Sequence, residues 1–295
     1  MADFHPLPSH TTTISDDFDA LNKEAEKRAK ECIPASMPSL DHLTMKDYEH
    51  VYEPSDDTFL LLDGIQLGLE LADKEMNVDS FTALEIGCGT GIPIVYLGLQ
   101  CKQRFQPPQS TADGCNNRNT VTLTLLATDC NPHALRITQT TAAFHELALT
   151  THQCDLASGL LSSTHDHNSS STSWDGAIDM LLFNPPYVPT PDEEVVEFHG
   201  NHGGTELKVE NTENRVGIEA SWAGGLHGRR VIDRAIPQIA QLLRKPAGVA
   251  YMITVDDNLP EQLRQELGKL GLRMEPWVRR RARNEYLTVQ RITWM

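Results

Sequence analysis

Asn184-Pro185-Pro186-Tyr187 follows directly on the apolar run Ala177 to Phe183. That run has the length and composition of a parallel strand buried on both faces. The two prolines fix φ and withdraw two backbone donors, so neither strand nor helix continues through them. What remains is a stiff turn that offers the Asn184 side chain and free backbone carbonyls to the crevice beyond a strand's carboxyl end. Open α/β sheets bind their ligands there. Acceptors converging on one point suit a planar NH₂ group with two hydrogens to donate. The chemistry indicated is modification of a carboxamide or of an exocyclic amine.

A second group of residues describes the co-reactant. Gly87, Gly89 and Gly91 follow the strand-like run Phe81 to Ile86 and let backbone approach a ligand without a Cβ in the way. The spacing is not the G-x-G-x-x-G of a dinucleotide site, since Ile92 stands where its third glycine would be. No Gly-Lys-Ser/Thr follows, which excludes a P-loop. Acids end three successive strand-like segments: Glu85, Asp129 and Asp155. Carboxylates so placed repel a pyrophosphate and suit a ligand with a cationic amine, ribose hydroxyls and an adenine amino group. S-adenosylmethionine has all of these.

The elements that must position these residues alternate along the chain. Helical spacing covers Thr58 to Leu71, a helix starts at Ile92, and a strand runs from Val121 to Ala127, ending at Asp129. Pro132 suits the first turn of a helix that reaches Leu147. A third strand is expected over Leu149 to Gln153 and a fourth over Ala177 to Phe183. A helix over Arg229 to Leu243, a strand over Val249 to Val255 and a helix over Leu259 to Leu270 come next. Strands over Arg273 to Arg279 and Tyr286 to Ile292 form a closing hairpin. The expectation is a doubly wound α/β fold with a mostly parallel seven-stranded sheet and a terminal antiparallel hairpin. Residues 1–45 read as an extension carrying a short amphipathic helix over Asp16 to Cys32, ended by Pro34 and Pro38. The domain proper spans 46–295, with surface loops at 102–119, 162–173 and 192–214.

Composition narrows the function class. The chain has 295 residues and a formal net charge of −16, which disfavours general nucleic-acid binding. The run Arg279, Arg280, Arg281 and Arg283 is the one basic cluster, and it reads as an exposed strand edge. None of the six cysteines forms a C-x-x-C pair, and His165 and His167 have no neighbouring ligand, so no metal site is expected. No apolar run reaches the roughly 20 residues that span a bilayer. The expected location is the cytoplasm, with the nucleus as an additional one.

Glu85-Ile-Gly-Cys-Gly-Thr-Gly91, Asp129-Cys-Asn-Pro132 and Asn184-Pro-Pro-Tyr187 together resemble the class I S-adenosylmethionine-dependent methyltransferases, which have a Rossmann-like fold. More narrowly they resemble the HemK-like glutamine methyltransferases. The stretches Val51 to Phe59, Cys154-Asp-Leu156 and Gly217 to Arg229 are similar to the eukaryotic and archaeal release-factor subfamily. The resemblance runs from about Tyr48 to the C-terminus; the extension and the three loops depart from it. It implies that Thr58, Glu85, Gly87, Cys88, Gly89, Gly91, Asp129, Asn131, Asp155, Leu156 and Asn184 hold the cofactor, with Asp129 on the ribose and Asp155 near the adenine. It implies that Asn184, Pro185, Pro186 and Tyr187 bind the substrate, and that Asn184, Pro185 and Tyr187 act on it. The implied substrate is the glutamine of the Gly-Gly-Gln loop of the eukaryotic class I release factor. The implied partner is a small zinc-binding activator subunit.

An amide nitrogen is a weak nucleophile, and no general base is evident. The Asn184 oxygen and the Pro185 carbonyl are expected to accept its two N–H bonds, aiming it at the methyl group and stabilising developing positive charge. Tyr187 is expected to pack on the amide plane. Protein lysine methylation is the alternative, and adenine-N6 methylation of nucleic acid is a weaker one. A non-catalytic scaffold of this fold would lack some of these residues; all are present.

Overall fold

Five parallel strands of a seven-stranded sheet point their carboxyl ends the same way, with helices packed on both faces. The computed structural model describes residues 13–32, 37–72, 79–105, 121–162, 173–195 and 218–295. Most of the three expected loops, with Pro34, Cys115, His165 and His167, lie outside the described residues. In chain order the elements are α1 (Thr13–Glu31), α2 (Asp56–Ala72), β1 (Ser80–Ile86), α3 (Ile92–Phe105), β2 (Thr122–Asp129), α4 (Pro132–Phe144) and β3 (Thr150–Gln153). After them come β4 (Met180–Phe183), α5 (Arg230–Leu242), β5 (Val249–Val255), α6 (Pro260–Lys269), β6 (Leu272–Ala282) and β7 (Glu285–Trp294).

The strand order is β3-β2-β1-β4-β5-β7-β6. All pairings are parallel except those of β7 with β5 and β6. The α/β class, the doubly wound order and the closing hairpin are those expected. The chain winds outward from β1 to β3, then returns to β4 on the other side of β1. This makes the β1/β4 boundary the topological switch point, where a crevice opens at the strand ends. Leu60, Ile65, Ile94, Leu97 and Val289 belong to a core on one face, packed under α2 and α3. Leu84, Phe183, Ile232, Ile239 and Leu263 belong to the core under α5 and α6.

Two boundaries differ from expectation for local reasons. Strand β4 begins at Met180 rather than Ala177, with Ile178 making only an isolated bridge to Leu243. Asp179 interrupts the run: its Oδ2 accepts from the Thr82 N–H at 2.8 Å, and its Oδ1 is paired with Arg244 at 2.6 Å. Helix α4 stops at Phe144, not Leu147, because Glu146 takes a left-handed φ of 55°. The N–H groups of Glu146 and Leu147 then donate to the carbonyls of Ala143 and Ala142, which closes the helix end in a Schellman motif.

The basic cluster departs from expectation at one residue, Arg279. Strand β6 is the last of the sheet, but α1 lies against it, and Arg279 is only 8% exposed. Arg279 forks onto Asp256 with two bonds of 2.8 Å and lies 3.7 Å from Glu26 of α1; Arg280 meets Asp63 at 2.6 Å. Arg28 of α1 donates to the carbonyls of Pro276 and Trp277 and stacks over the Trp277 ring. Arg279 is therefore committed inside the molecule, while Arg280 pairs with Asp63 from an exposed position and Arg281 and Arg283 stay exposed.

Candidate active site

The sheet register brings the candidate residues together. Ile86 of β1 is partnered by Thr128 of β2 on one side and by Phe183 of β4 on the other. The next residues, Gly87, Asp129 and Asn184, therefore lie side by side where the strands end. The cleft they line measures about 1160 Å³ counting its open mouth.

Its floor is the β1–α3 turn. Gly87 and Gly89 have φ of +67° and +50°, and an added Cβ at either would meet nothing within 4 Å. The turn thus demands glycine by conformation and leaves open space on its ligand side. Gly91 is required differently, since a Cβ there would come within 2.8 Å of the Thr138 methyl on α4. Gly91 is not on the cleft wall; Gly87, Cys88 and Gly89 are.

Asp129 holds this turn from the side. Its Oδ2 accepts from the Gly89 N–H at 3.2 Å and its Oδ1 from the Asn131 N–H at 2.8 Å. Asn131 caps α4 by accepting from the His133 N–H, and its Nδ2 donates to the His50 carbonyl at 2.7 Å. Glu85, 2% exposed, accepts from the Ile94 N–H in the first turn of α3. Burial, together with the Asp129 carboxylate, pushes the Glu85 carboxyl well above the usual range. Burial likewise raises Asp129, opposed by the N–H groups of Asn131 and Gly89. Two acids destabilised in their charged forms in one cleft are a setting for cationic or hydroxyl-bearing ligands. Burial also raises the Cys88 and Cys130 thiols, so neither is poised as a nucleophile.

Opposite this floor, Asp155 and Leu156 line the wall. Arg234 of α5 meets the Asp155 Oδ2 at 2.7 Å, which leaves its other oxygen unclaimed by that arginine. Thr58 lines the cleft from the first turn of α2, with Tyr52 and Ile218 nearby at the wall.

Asn184 completes the cleft. Its Oδ1 is buried and makes no hydrogen bond. A buried acceptor left in this state costs about 1–3 kcal/mol, so the site is built for a donor that arrives with a ligand. Pro186 lines the wall beside it; Pro185 is buried and does not. Tyr187 is also off the wall. Its hydroxyl donates to the Asp57 Oδ2 at 3.1 Å, and burial with that carboxylate raises its pKa strongly. Asp57 is 4% exposed, accepts from the Thr58 N–H at 2.6 Å and takes a further bond from Tyr52. Tyr187 thus ties the turn to the start of α2.

Sequence reasoning missed Arg234, Asp57, Tyr52, His50 and Asn258. Asp57 carried a signal, as an acid in the first turn of a helix adjoining Thr58. Arg234 carried none, because its partner stands 79 residues away.

No family model matches the sequence. The human protein named methyltransferase HEMK2 is 32% identical over 257 residues, which is 87% of this chain and 95% of the human one. The Schizosaccharomyces pombe protein named eRF1 methyltransferase catalytic subunit mtq2 is 26% identical over the same shares of the two chains. Among solved structures, the E. cuniculi Mtq2–Trm112 complex, described as responsible for methylation of the eRF1 termination factor, is similar with a TM-score of 0.46 at 19% identity, over 83% of this chain and 99% of that one. Identity of this extent along nearly the whole of a relative, joined to the glycine turn and the Asn-Pro-Pro-Tyr turn at one switch point, makes this chain a member of the HEMK2 family of methyltransferases.

Proposed function

We propose that this chain methylates the side-chain amide nitrogen of a protein glutamine, the one in the Gly-Gly-Gln loop of the eukaryotic class I release factor, with S-adenosylmethionine as cofactor. The observation that carries the reading is the buried, unbonded Asn184 oxygen beside the glycine turn. The name of the fission yeast relative, an eRF1 methyltransferase, supports the substrate.

The residues present fit the cofactor. Gly87 and Gly89 leave an open cradle where side chains would intrude. Glu85 is a buried acid and Asp129 a half-buried one, both raised by desolvation, which a cationic, hydroxyl-rich molecule relieves. S-adenosylmethionine supplies an electrophilic methyl group on a positively charged sulfur. Glu85, Gly87, Cys88, Gly89, Asp129, Asn131, Asp155, Leu156 and Thr58 would hold it, Asp129 at the ribose and Asp155 toward the adenine.

The chain's own contribution is orientation. The Asn184 Oδ1 accepts one N–H of the substrate amide. This fixes the nitrogen's direction and favours positive charge developing on it. Tyr187 keeps the turn in place through Asp57. No group in the cleft has to remove a proton before the nitrogen attacks.

The word "subunit" in the yeast relative's name supports a heterodimer, with a small zinc-binding activator as the other chain. Among the described residues strand β3 is the edge of the sheet on its side, and beside it Leu123, Leu147 and Leu149 line a shallow cleft of mixed polarity with Thr124, Gln139 and Thr150. That edge can extend into a partner's sheet. This reading puts the chain in the cytoplasm with its substrate.

The test is Asn184→Ala. Methyl transfer to a Gly-Gly-Gln peptide should fall at least about 10²-fold while cofactor affinity stays within a few-fold, because the lost acceptor orients the substrate and not the cofactor. Near-normal turnover in the variant defeats the mechanism. Mass spectrometry of glutamine, lysine and adenine substrates presented in parallel identifies the acceptor class.

A further inference from the structure

Asn258 ends a short 3-10 turn, Asp256–Asn258, that follows β5, and it is fully buried. Its amide makes three hydrogen bonds. Oδ1 accepts from the Val255 N–H at 2.8 Å, and Nδ2 donates to the carbonyls of Tyr187 and His227, each at 2.9 Å. One side chain therefore joins the end of β5, the last residue of the Asn-Pro-Pro-Tyr turn and the segment that leads into α5.

The turn needs such an outside support. Pro185 and Pro186 have no N–H, so two of its four residues cannot donate a hydrogen bond to hold it. It is fixed only where it leaves β4 and where it exits at Tyr187. The exit is built with little room to spare. A Cβ on Gly228, whose φ is +65°, would fall 1.8 Å from the Tyr187 carbonyl oxygen and 2.6 Å from the Asn258 Nδ2. Beyond Tyr187, the Val188 N–H donates to the Trp222 carbonyl at 3.1 Å, and the Gly224 N–H donates back to Val188 at 2.9 Å. The turn that carries Asn258 is itself held, since Arg279 of β6 grips Asp256 with two bonds of 2.8 Å.

We infer that Asn258 is a positioning residue for methyl transfer: it fixes the Tyr187 carbonyl, and through the stiff Pro-Pro turn the aim of Asn184, without touching cofactor or acceptor. The inference rests on the reading of Asn184 given above. Losing the amide releases the exit of the turn while its entry, the ladder of β4 with β1 and β5, stays intact.

The deciding variant is Asn258→Asp in the full-length chain, produced with its activating subunit. It keeps the side chain's shape and the acceptor for Val255, and it sets a carboxylate oxygen against two carbonyls. Cofactor affinity by calorimetry should stay within about threefold, with KM for a Gly-Gly-Gln peptide similarly unchanged, while kcat falls about 10²-fold, the scale of a misplacement of about 1 Å. Gly228→Ala presses on the same carbonyl next to the Asn258 amide and should give the same split between kcat and KM. A residue that served stability alone would lower the melting temperature and leave kcat per folded molecule unchanged; that result overturns the inference. If the wild type methylates no glutamine peptide, the glutamine reading fails by itself. The positioning role is then judged on whichever acceptor the wild type does methylate, or on a crystal structure of Asn258→Asp. Asn184 in its wild-type place in that structure overturns it.

Discussion

Glu85 shows how one residue can serve a ligand at the expense of the fold. The folded protein holds its proton more tightly than the unfolded chain does, because burial and Asp129 both disfavour the charge. A carboxyl shifted upward favours folding below the unfolded range, about pH 4.3. That contribution is lost as pH rises toward the raised folded value. Glu85→Gln keeps an acceptor for the Ile94 N–H and removes the titration. Thermal melts of the cofactor-free protein should therefore show the variant more stable at neutral pH, by roughly 2–4 °C for each kcal/mol recovered, and equal to wild type near pH 4. A variant no more stable at neutral pH contradicts this account. Glu85, Asp129 and the glycine turn were legible in the sequence because each stands within a few residues of a strand end. Arg234 and Asn258 were not, because their roles depend on partners 79 and 71 residues away, and Asp57 showed only its place in a first helical turn, its partner being 130 residues away.

At the scale of elements, the approach of helix to sheet decides which glycines matter. Gly68 in α2 faces Tyr251 of β5, where a Cβ would fall 2.0 Å from the phenol oxygen; Gly268 in α6 faces nothing within 4 Å. Both sit in helices, where alanine is intrinsically favoured by about 1 kcal/mol. Gly68→Ala should nonetheless destabilise by about 1–3 kcal/mol through overpacking, and Gly268→Ala should stabilise by about 0.4–1 kcal/mol. Urea unfolding of the two variants checks the pair, and equal shifts would mean that packing plays no part. Apolar periodicity located every helix and strand of the sheet. Their ends were set by single residues, by the side chain of Asp179 at β4 and by the left-handed backbone of Glu146 at α4. A sequence window reads the period of a segment well and its caps poorly, since a cap depends on one conformation.

For the whole molecule, the two edges of the sheet differ. Helix α1 and its Arg28 cover β6, so that edge is spent within the chain. Among the described residues strand β3 has no strand on its outer side. Addition of the proposed partner should slow hydrogen exchange at Thr150–Gln153 and leave Leu272–Ala282 unchanged. Equal exchange at β3 with and without the partner would rule out that edge as the contact. Of the arginines that read as an exposed basic edge, Arg279 is instead buried against Asp256 and near Glu26 of α1, and only packing of the N-terminal helix makes this visible; the other three are exposed as read.

The sequence by itself determined the order of strands and helices, the turn that stops at two prolines and the acids and glycines that flank the switch point, because each follows from local periodicity and from the backbone limits of single residues. Tertiary structure alone decided what those residues hold and what holds them. Pairings such as Tyr187 with Asp57, Asp155 with Arg234 and Asn258 with the catalytic turn form only when distant segments are packed, and no spacing along the chain encodes them.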